Sequence, residues 1–222
     1  MASTTETLTT TKAALLGMIH SDGHAMAGRG KGKDRKPRYF VRLGEPNLLV
    51  RNMFKNYVRE IYGLKAIDKP YDGTIIAYGK EMLKDILSYG PLGSHRWRAP
   101  VHFLRKPQAR RYLRSFFGGD GDVRVSPVLS KCKVRAKSVN REGLLSIKTL
   151  LEKYFDIEAK LYKHGRPKFP GWSQPYDLEV IGIRNLERFA RWVGFDHPAK
   201  AERLAMIVER IRMKKPSLGK RP

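Results

Sequence analysis

Apolar positions along the chain recur in two periods, and the period changes in a fixed order. Between Lys12 and Ser21 they cover most of a helix circumference, through Ala13, Ala14, Leu15, Leu16, Met18 and Ile19. A helix that is apolar almost all round is one buried against a partner, and Thr11 is placed to cap it. From Arg38 to Leu43 the period falls to two, as in a strand: Arg38, Phe40 and Arg42 face one way, Tyr39, Val41 and Leu43 the other. The helical period returns from Asn47 to Tyr62, with Leu49, Val50, Met53, Phe54, Val58 and Ile61 inward and Gly63 as its end. Leu64–Ile67 and Thr74–Tyr78 read as short strands around a turn-rich joint. Glu81–Tyr89 reads as a short helix with Met82, Leu83, Ile86 and Leu87 inward.

The same order then runs a second time. Leu92–Lys106 is a connection, and Pro107 suits the first turn of a new helix. Val123–Val128 and Lys131–Val139 read as a ribbon and Gly143–Phe155 as a helix. Glu158–Tyr162 and Tyr176–Ile181 are strands on either side of a long turn, and Arg184–Val193 is a helix. A last helix, Ala199–Met213, carries Leu204, Val208 and Ile211 on one stripe and has no counterpart in the first half. The expected fold class is α+β, with two pseudo-symmetric αββαββα halves at 8–91 and 107–198. A linker at 92–106 joins them, and 199–222 adds a helix and a basic tail.

Within this frame one stretch is repeated. Leu15–Gly23 reads LLGMIHSDG and Leu113–Gly121 reads LRSFFGGDG. Both run bulky, variable, small, bulky, bulky, variable, small, Asp, Gly. Gly17 and Ser21 share a helix face, as do Ser115 and Gly119. Small residues four apart let two helix backbones approach closely, a steric rule that holds beyond the membrane helices in which it is best known. If the two helices pack on these faces, Asp22 and Asp120 end side by side, with Gly23 and Gly121 suited to the caps. Two carboxylates at helix C-termini repel each other and the helix dipoles. A hard divalent cation with oxygen ligands, Mg²⁺ first, relieves that repulsion. Either stretch alone would pass for an amphipathic helix ending in a surface Asp-Gly turn; two in register within matching halves do not.

Charge sharpens the picture. The chain of 222 residues has a formal net charge of +24, and a hydrophobic content of 41% sufficient for a core. A folded protein this basic meets a polyanion. A membrane surface is the weaker choice, because no segment approaches a membrane-spanning run of apolar residues. No signal peptide is read at the start, and Cys132 as the only cysteine leaves no internal disulfide. A cytoplasmic location beside the host genome is expected.

The cations cluster on the ribbons. His24–Leu43 holds Arg29, Lys31, Lys33, Arg35, Lys36, Arg38 and Arg42 against one acid, Asp34, with a Gly-rich run suited to a long hairpin tip. In the second ribbon Lys131, Lys133, Arg135 and Lys137 lie on one face, with Arg124 on the neighbouring strand. A basic-faced antiparallel ribbon can enter the major groove of DNA. Basic ribosome-associated proteins share the charge but not the paired Asp-Gly helix ends. His20 reads as packed, Asp122 as a turn or strand-start residue, and Trp97, Trp172 and Trp192 as core or loop packing.

The repeated stretches resemble the LAGLIDADG motifs of homing endonucleases, in the single-chain form with two motifs. The resemblance covers about residues 8 to 195; the second motif is looser, with Arg114 and two glycines inside it. It implies a saddle of two sheets on double-stranded DNA, with the motif helices at its centre. It implies that Asp22 and Asp120, with the carbonyls of Ser21 and Gly119, hold divalent ions over the two scissile phosphates. Mg²⁺ is the expected ion, with Mn²⁺ or an inert Ca²⁺ as substitutes. The implied outcome is a double-strand break with short 3′ overhangs at a long asymmetric target, by a monomeric, intron-encoded enzyme. Family members often carry a basic or amide helper in the ribbons; Arg42 and Lys137 are the candidates, although Arg42-Leu43-Gly44-Glu45 departs from the usual pair. The alternatives on the same fold are an RNA maturase, with intron RNA as partner, and a non-cleaving DNA-binding regulator. An intein domain is disfavoured, because the chain starts at Met1 without recognisable splice junctions.

Overall fold

A computed structural model describes residues 8–29, 37–165, 167 and 169–214. The first half comprises α1 (Thr10–Asp22), β1 (Gly23–Arg29), β2 (Pro37–Gly44), α2 (Leu48–Tyr62), β3 (Ile67–Lys69), β4 (Thr74–Tyr78) and α3 (Lys80–Ser88). The second comprises α4 (Lys106–Asp120), β5 (Gly121–Arg124), β6 (Lys133–Ser138), α5 (Arg141–Phe155), β7 (Lys160–Lys163), β8 (Tyr176–Ile181) and α6 (Ile183–Trp192). A final helix, α7 (Pro198–Lys214), stands outside the repeat. Both sheets are antiparallel and share one strand order, β1-β2-β4-β3 and β5-β6-β8-β7. The fold is therefore α+β with two similar αββαββα halves, as the periodicity predicts.

Local chemistry repeats with the topology. Asn47 caps α2, its Oδ1 accepting from the Leu49 and Val50 amides, and Asn140 caps α5 by accepting from the Gly143 amide at 2.9 Å. Each cap sits just after the second strand of its half, so the turn from sheet to helix is made in the same way twice. α1 starts earlier than expected. Thr9, not Thr11, is its cap and accepts from the Lys12 amide, while Thr11 donates to Glu60 Oε1 at 2.8 Å. Gly63 ends α2 in the left-handed region at φ 64°.

Several expected bounds shift for identifiable reasons. The second ribbon is shorter than 123–128 and 131–139, because residues 129–131 form a 3-10 turn that buries Leu129 and passes to buried Cys132. β3 begins at Ile67 rather than Leu64; Leu64 packs against Gly79 instead of pairing. Leu49 and Leu87, expected inward, are 51% and 43% exposed, since each helix buries only one stripe. In α7 the buried stripe is Leu204, Ile207 and Ile211, with Val208 at its edge.

The core is continuous across the halves. At its centre α1 and α4 pack along their small residues. A methyl group at Gly17 would stand 2.3 Å from the Tyr112 carbonyl oxygen and 3.2 Å from Ser115 Cβ. Glycine at 17 is thus what sets the distance between the two backbones.

Candidate active site between the repeated helices

The close approach continues to the helix ends. A methyl group at Gly119 would fall 1.9 Å from Asp22 Oδ2 and 2.7 Å from Ser21 Cβ. Gly17, Ser21, Ser115 and Gly119 therefore do lie on the facing sides of α1 and α4, and Asp22 meets the second motif directly. The glycines after each acid act differently from the usual C-cap. Gly23 and Gly121 are extended, at φ −86° and −77°, not left-handed. They are glycine because added methyl groups would fall 2.4 Å from the Ile19 carbonyl oxygen and 2.2 Å from that of Phe117. Each chain leaves its helix straight into the first strand of its sheet, so the acids stand where helix pair and sheets meet.

The surroundings raise both acids. Burial, offset in part by the Lys200 ammonium and reinforced by Glu45, pushes the Asp22 carboxyl up to about 6. Burial and the adjacent Asp22 charge push the Asp120 carboxyl up to about 8. This is the behaviour of two carboxylates taken from water without enough compensating charge. Behind them the motif helices are backed by an aromatic layer. His20 shares a 2.7 Å hydrogen bond between Nδ1 and the Tyr112 hydroxyl, and stacks on Trp97 at 5.8 Å. Burial pushes His20 down to about 3, so it is a neutral packed residue, as expected of it.

Lys200, from α7, is a cation whose charge acts on both acids, and nothing in its local sequence announces that role. Its Nζ donates to the Gly118 and Gly119 carbonyls, both at 2.5 Å. Glu45 is a second unforeseen member: it is buried, accepts from the Asn47 amide at 2.7 Å and adds negative charge beside Asp22. Asp196 is a third. It binds Ser115 Oγ at 2.7 Å and Arg114 Nε at 2.7 Å, and so fixes the start of α7 against α4. None of the three lies in the repeated stretch, and each depends on tertiary placement.

The donor set suits a hard divalent ion that keeps most of its shell from elsewhere. Among the described residues no group of three or more His, Cys, Asp or Glu side chains is disposed around one metal position. Two carboxylates with main-chain carbonyls, open to phosphate and water, match what Mg²⁺ takes from proteins. Of the expected carbonyls, that of Gly119 is held by Lys200. The Ser21 hydroxyl turns back to the Met18 carbonyl at 3.0 Å, which leaves only its main chain for such a role.

The ribbon cations separate into classes. Arg38, Arg42, Arg124, Lys131 and Lys137 are exposed. Lys133 is paired with Glu179, and Arg135 with Asp122 at 3.1 Å and Asp177 at 3.8 Å. Lys131 lies in the 3-10 turn and not in β6, so the expected row of four is a row of three, two of them neutralised. Arg29 ends β1, while Lys31, Lys33 and Arg35 lie outside the described residues. Register also separates Arg42 from Lys137. Arg42 pairs across to His24 and Arg135 to Asp122, so the counterpart of Arg42 is Arg135. In the first half a histidine faces the arginine; in the second an acid does.

Comparison with known proteins agrees with this geometry. Residues 107–194 match the family described as LAGLIDADG-like domain. The homing endonuclease I-DmoI, in its complex with DNA and Ca, superposes with a TM-score of 0.63 at 14% identity, over 90% of this chain and 98% of that one. Full-length WhiA of Thermotoga maritima superposes with a TM-score of 0.59 at 13% identity, over 95% of this chain and 62% of that one. A 119-residue stretch is 34% identical to elongation factor 2 of Methanopyrus kandleri, covering 53% of this chain and 8% of the factor. The chain thus spans under a tenth of the length of that curated relative.

Proposed function

We propose that the chain, whose residues 107–194 match the LAGLIDADG-like domain family and whose fold is that of two-motif homing endonucleases, is a divalent-metal-dependent endonuclease that cuts both strands of a specific DNA duplex. The observation that carries this reading is the pair of half-buried acids, both with raised values, brought together at the ends of two helices in backbone contact. A purely structural role for that contact would be served better by amides, which need no counter-charge. Solved relatives add support: I-DmoI is described in complex with DNA and Mn, and I-LtrWI bound to target DNA.

Divalent ions held by Asp22 and Asp120, one beside the Ser21 carbonyl and one beside that of Gly119, would neutralise phosphate charge and activate water. The residues of the chain do the rest. The helix contact fixes the spacing between the acids, and therefore between the two phosphates attacked. Gly23 and Gly121 deliver each chain from its acid into its own sheet, so each half attends to one strand. The exposed Arg38, Arg42 and Lys137 bind backbone and base edges on the sheets, and Arg42 and Lys137 lend positive charge beside the scissile phosphates. The halves differ on their sheet faces, as His24 against Asp122 illustrates, so the target is asymmetric. By analogy with homing endonucleases the products carry short 3′ overhangs and the enzyme acts as an intron-encoded monomer beside the host genome.

Incubating the chain with a plasmid library and Mg²⁺, then mapping the breaks, tests the proposal. Recurrent double-strand breaks at one sequence support it. A second reading, a DNA-binding protein that does not cleave, is favoured by the Lys200 ammonium on the Gly119 carbonyl. Sequence-specific retention of duplex with no nicking in Mg²⁺ or Mn²⁺ would select that reading.

A further inference from the structure

Lys200 comes from the one helix that the repeat does not contain. The last-turn carbonyls of a helix lack intrahelical donors, and a cation there also complements the dipole. Lys200 Nζ meets this need for α4, at 2.5 Å from both the Gly118 and Gly119 oxygens. Among the described residues no side chain makes the matching bonds to His20 and Ser21 at the end of α1. The lysine is also held firmly. Asp196 ties the chain before α7 to Ser115 and Arg114. Further along, Arg210 donates to the Ser126 and Pro127 carbonyls, both at 2.6 Å. Leu204, Ile207 and Ile211 bury the face between. A lysine fixed in this way is not a surface side chain that chanced to fold inward. Gly119, whose carbonyl it binds, is packed on Asp22, and Asp22, Glu45, Asp120 and Asp122 are its charged neighbours.

We propose that the Lys200 ammonium occupies the cation position on the Gly119 side of the acid pair. A divalent ion enters there only by displacing it, so the two positions fill in sequence and not together. This rests on the reading of Asp22 and Asp120 as metal-holding acids. Its consequence is a built-in inequality between half-sites whose helices are otherwise alike: the position on the Ser21 side is open first. Lys200 is then a positioning residue that keeps the acids together before metal arrives.

The test is Mn²⁺ uptake by the whole chain, followed by calorimetry and by the free-ion paramagnetic signal. Wild type should bind one ion and then a second at least about tenfold more weakly, a factor equivalent to about 1.4 kcal/mol. In Lys200→Met the second ion should tighten by about that factor, while Lys200→Arg should keep the wild-type inequality. Two equal ions in wild type, or unchanged affinities in Lys200→Met, would overturn the proposal and leave the metal reading standing. No Mn²⁺ uptake by any of them would overturn both. Should Lys200→Met fail to fold, wild type labelled on lysine Nζ decides the matter. The Lys200 ammonium resonance should move only as the second equivalent of Mg²⁺ enters. A resonance that moves with the first equivalent, or never moves, overturns the proposal.

Discussion

Gly119 lies against Asp22 so closely that a methyl group added to it would fall 1.9 Å from Asp22 Oδ2. The backbone of the second motif thus forms one wall around the acid of the first. Two substitutions on α4, one residue apart, should behave in opposite ways. Gly119→Ala should displace Asp22 and suppress cleavage. Gly118→Ala meets nothing nearer than 3.7 Å, so it should be neutral or stabilise by up to about 1 kcal/mol through helix propensity. Gly17→Ala is a third arm: its methyl group would meet the Tyr112 backbone oxygen at 2.3 Å, and overpacking of that kind costs roughly 1–3 kcal/mol. Thermal melting of the three variants checks the order. A Gly17→Ala protein as stable as Gly118→Ala would mean that the helices are not in backbone contact.

Asp22→Asn and Asp120→Asn should each abolish double-strand cleavage. DNA affinity should change little, because the exposed cations lie on the sheets and not in this cluster. Both variants should also melt higher than wild type in the absence of divalent ions, since an amide removes the burial cost of the charge and the repulsion that together raise the acids. A cleavage assay beside a melting curve reads both effects. Loss of activity without a gain in metal-free stability would contradict the electrostatic account of the pair.

The same acids predict a pH profile. Their folded values, about 6 for Asp22 and about 8 for Asp120, lie above the ordinary 3.8. The folded state therefore keeps protons that the unfolded chain has released. Their contribution is fully present below the unfolded value and is lost as pH rises through about 6 and then about 8. Each unit by which an acid is displaced is worth on the order of 1.4 kcal/mol, so the more strongly raised Asp120 should dominate the loss. His20 acts in the opposite sense: held neutral with its value down at about 3, it withdraws stability as pH falls below its ordinary 6.5. Subtracting the profile of the Asp22→Asn, Asp120→Asn double variant isolates the acids. Mg²⁺ binds the ionised forms, so its stabilisation should grow with pH and its binding should release protons. A difference profile that is flat in EDTA would show that the acids are solvated.

The residues that could be read from sequence are those whose role is local or periodic. Gly17, Ser21, Ser115 and Gly119 declare the helix contact because four-residue spacing fixes a helix face before any tertiary structure exists. Asn47 and Gly63 bracket α2 by chemistry internal to the segment. What sequence could not supply comes from across the fold. Lys200 reaches the acids from a helix more than half the chain away from Asp22, and nothing in its own neighbourhood announces a partner. Glu45 is buried by the turn into α2 that also presents Asn47. Even the glycines after the acids, legible as helix ends, owe their identity to contacts with Ile19 and Phe117 rather than to a left-handed cap. Alternation likewise placed Lys133 and Arg135 on one face correctly, but could not show Glu179, Asp122 and Asp177 beside them.

That last difference decides what the sheet cations should do in solution. A cation freely exposed in the unbound protein releases a counterion from DNA when it meets a phosphate, so its removal flattens the slope of log K against log salt by roughly 0.9. Arg38, Arg42 and Lys137, exposed on their strands, should each approach that figure when changed to alanine. Lys133 and Arg135 should not, because their charge is already matched by acids on the same sheet. Their alanine variants free those acids beside the DNA. They should weaken binding through repulsion, and any base edge that Arg135 reads would add discrimination of about 1–3 kcal/mol. Removing the closer acid should do the reverse: Asp122→Asn leaves Arg135 only the more distant Asp177, at 3.8 Å, and so steepens the salt slope and strengthens binding to random duplex more than to the target. Salt titrations on a target and a random duplex give slope and preference from the same data. Equal slopes for Arg42→Ala and Arg135→Ala, with no effect of Asp122→Asn, would mean that the pairing on the second sheet does not govern how the protein meets DNA.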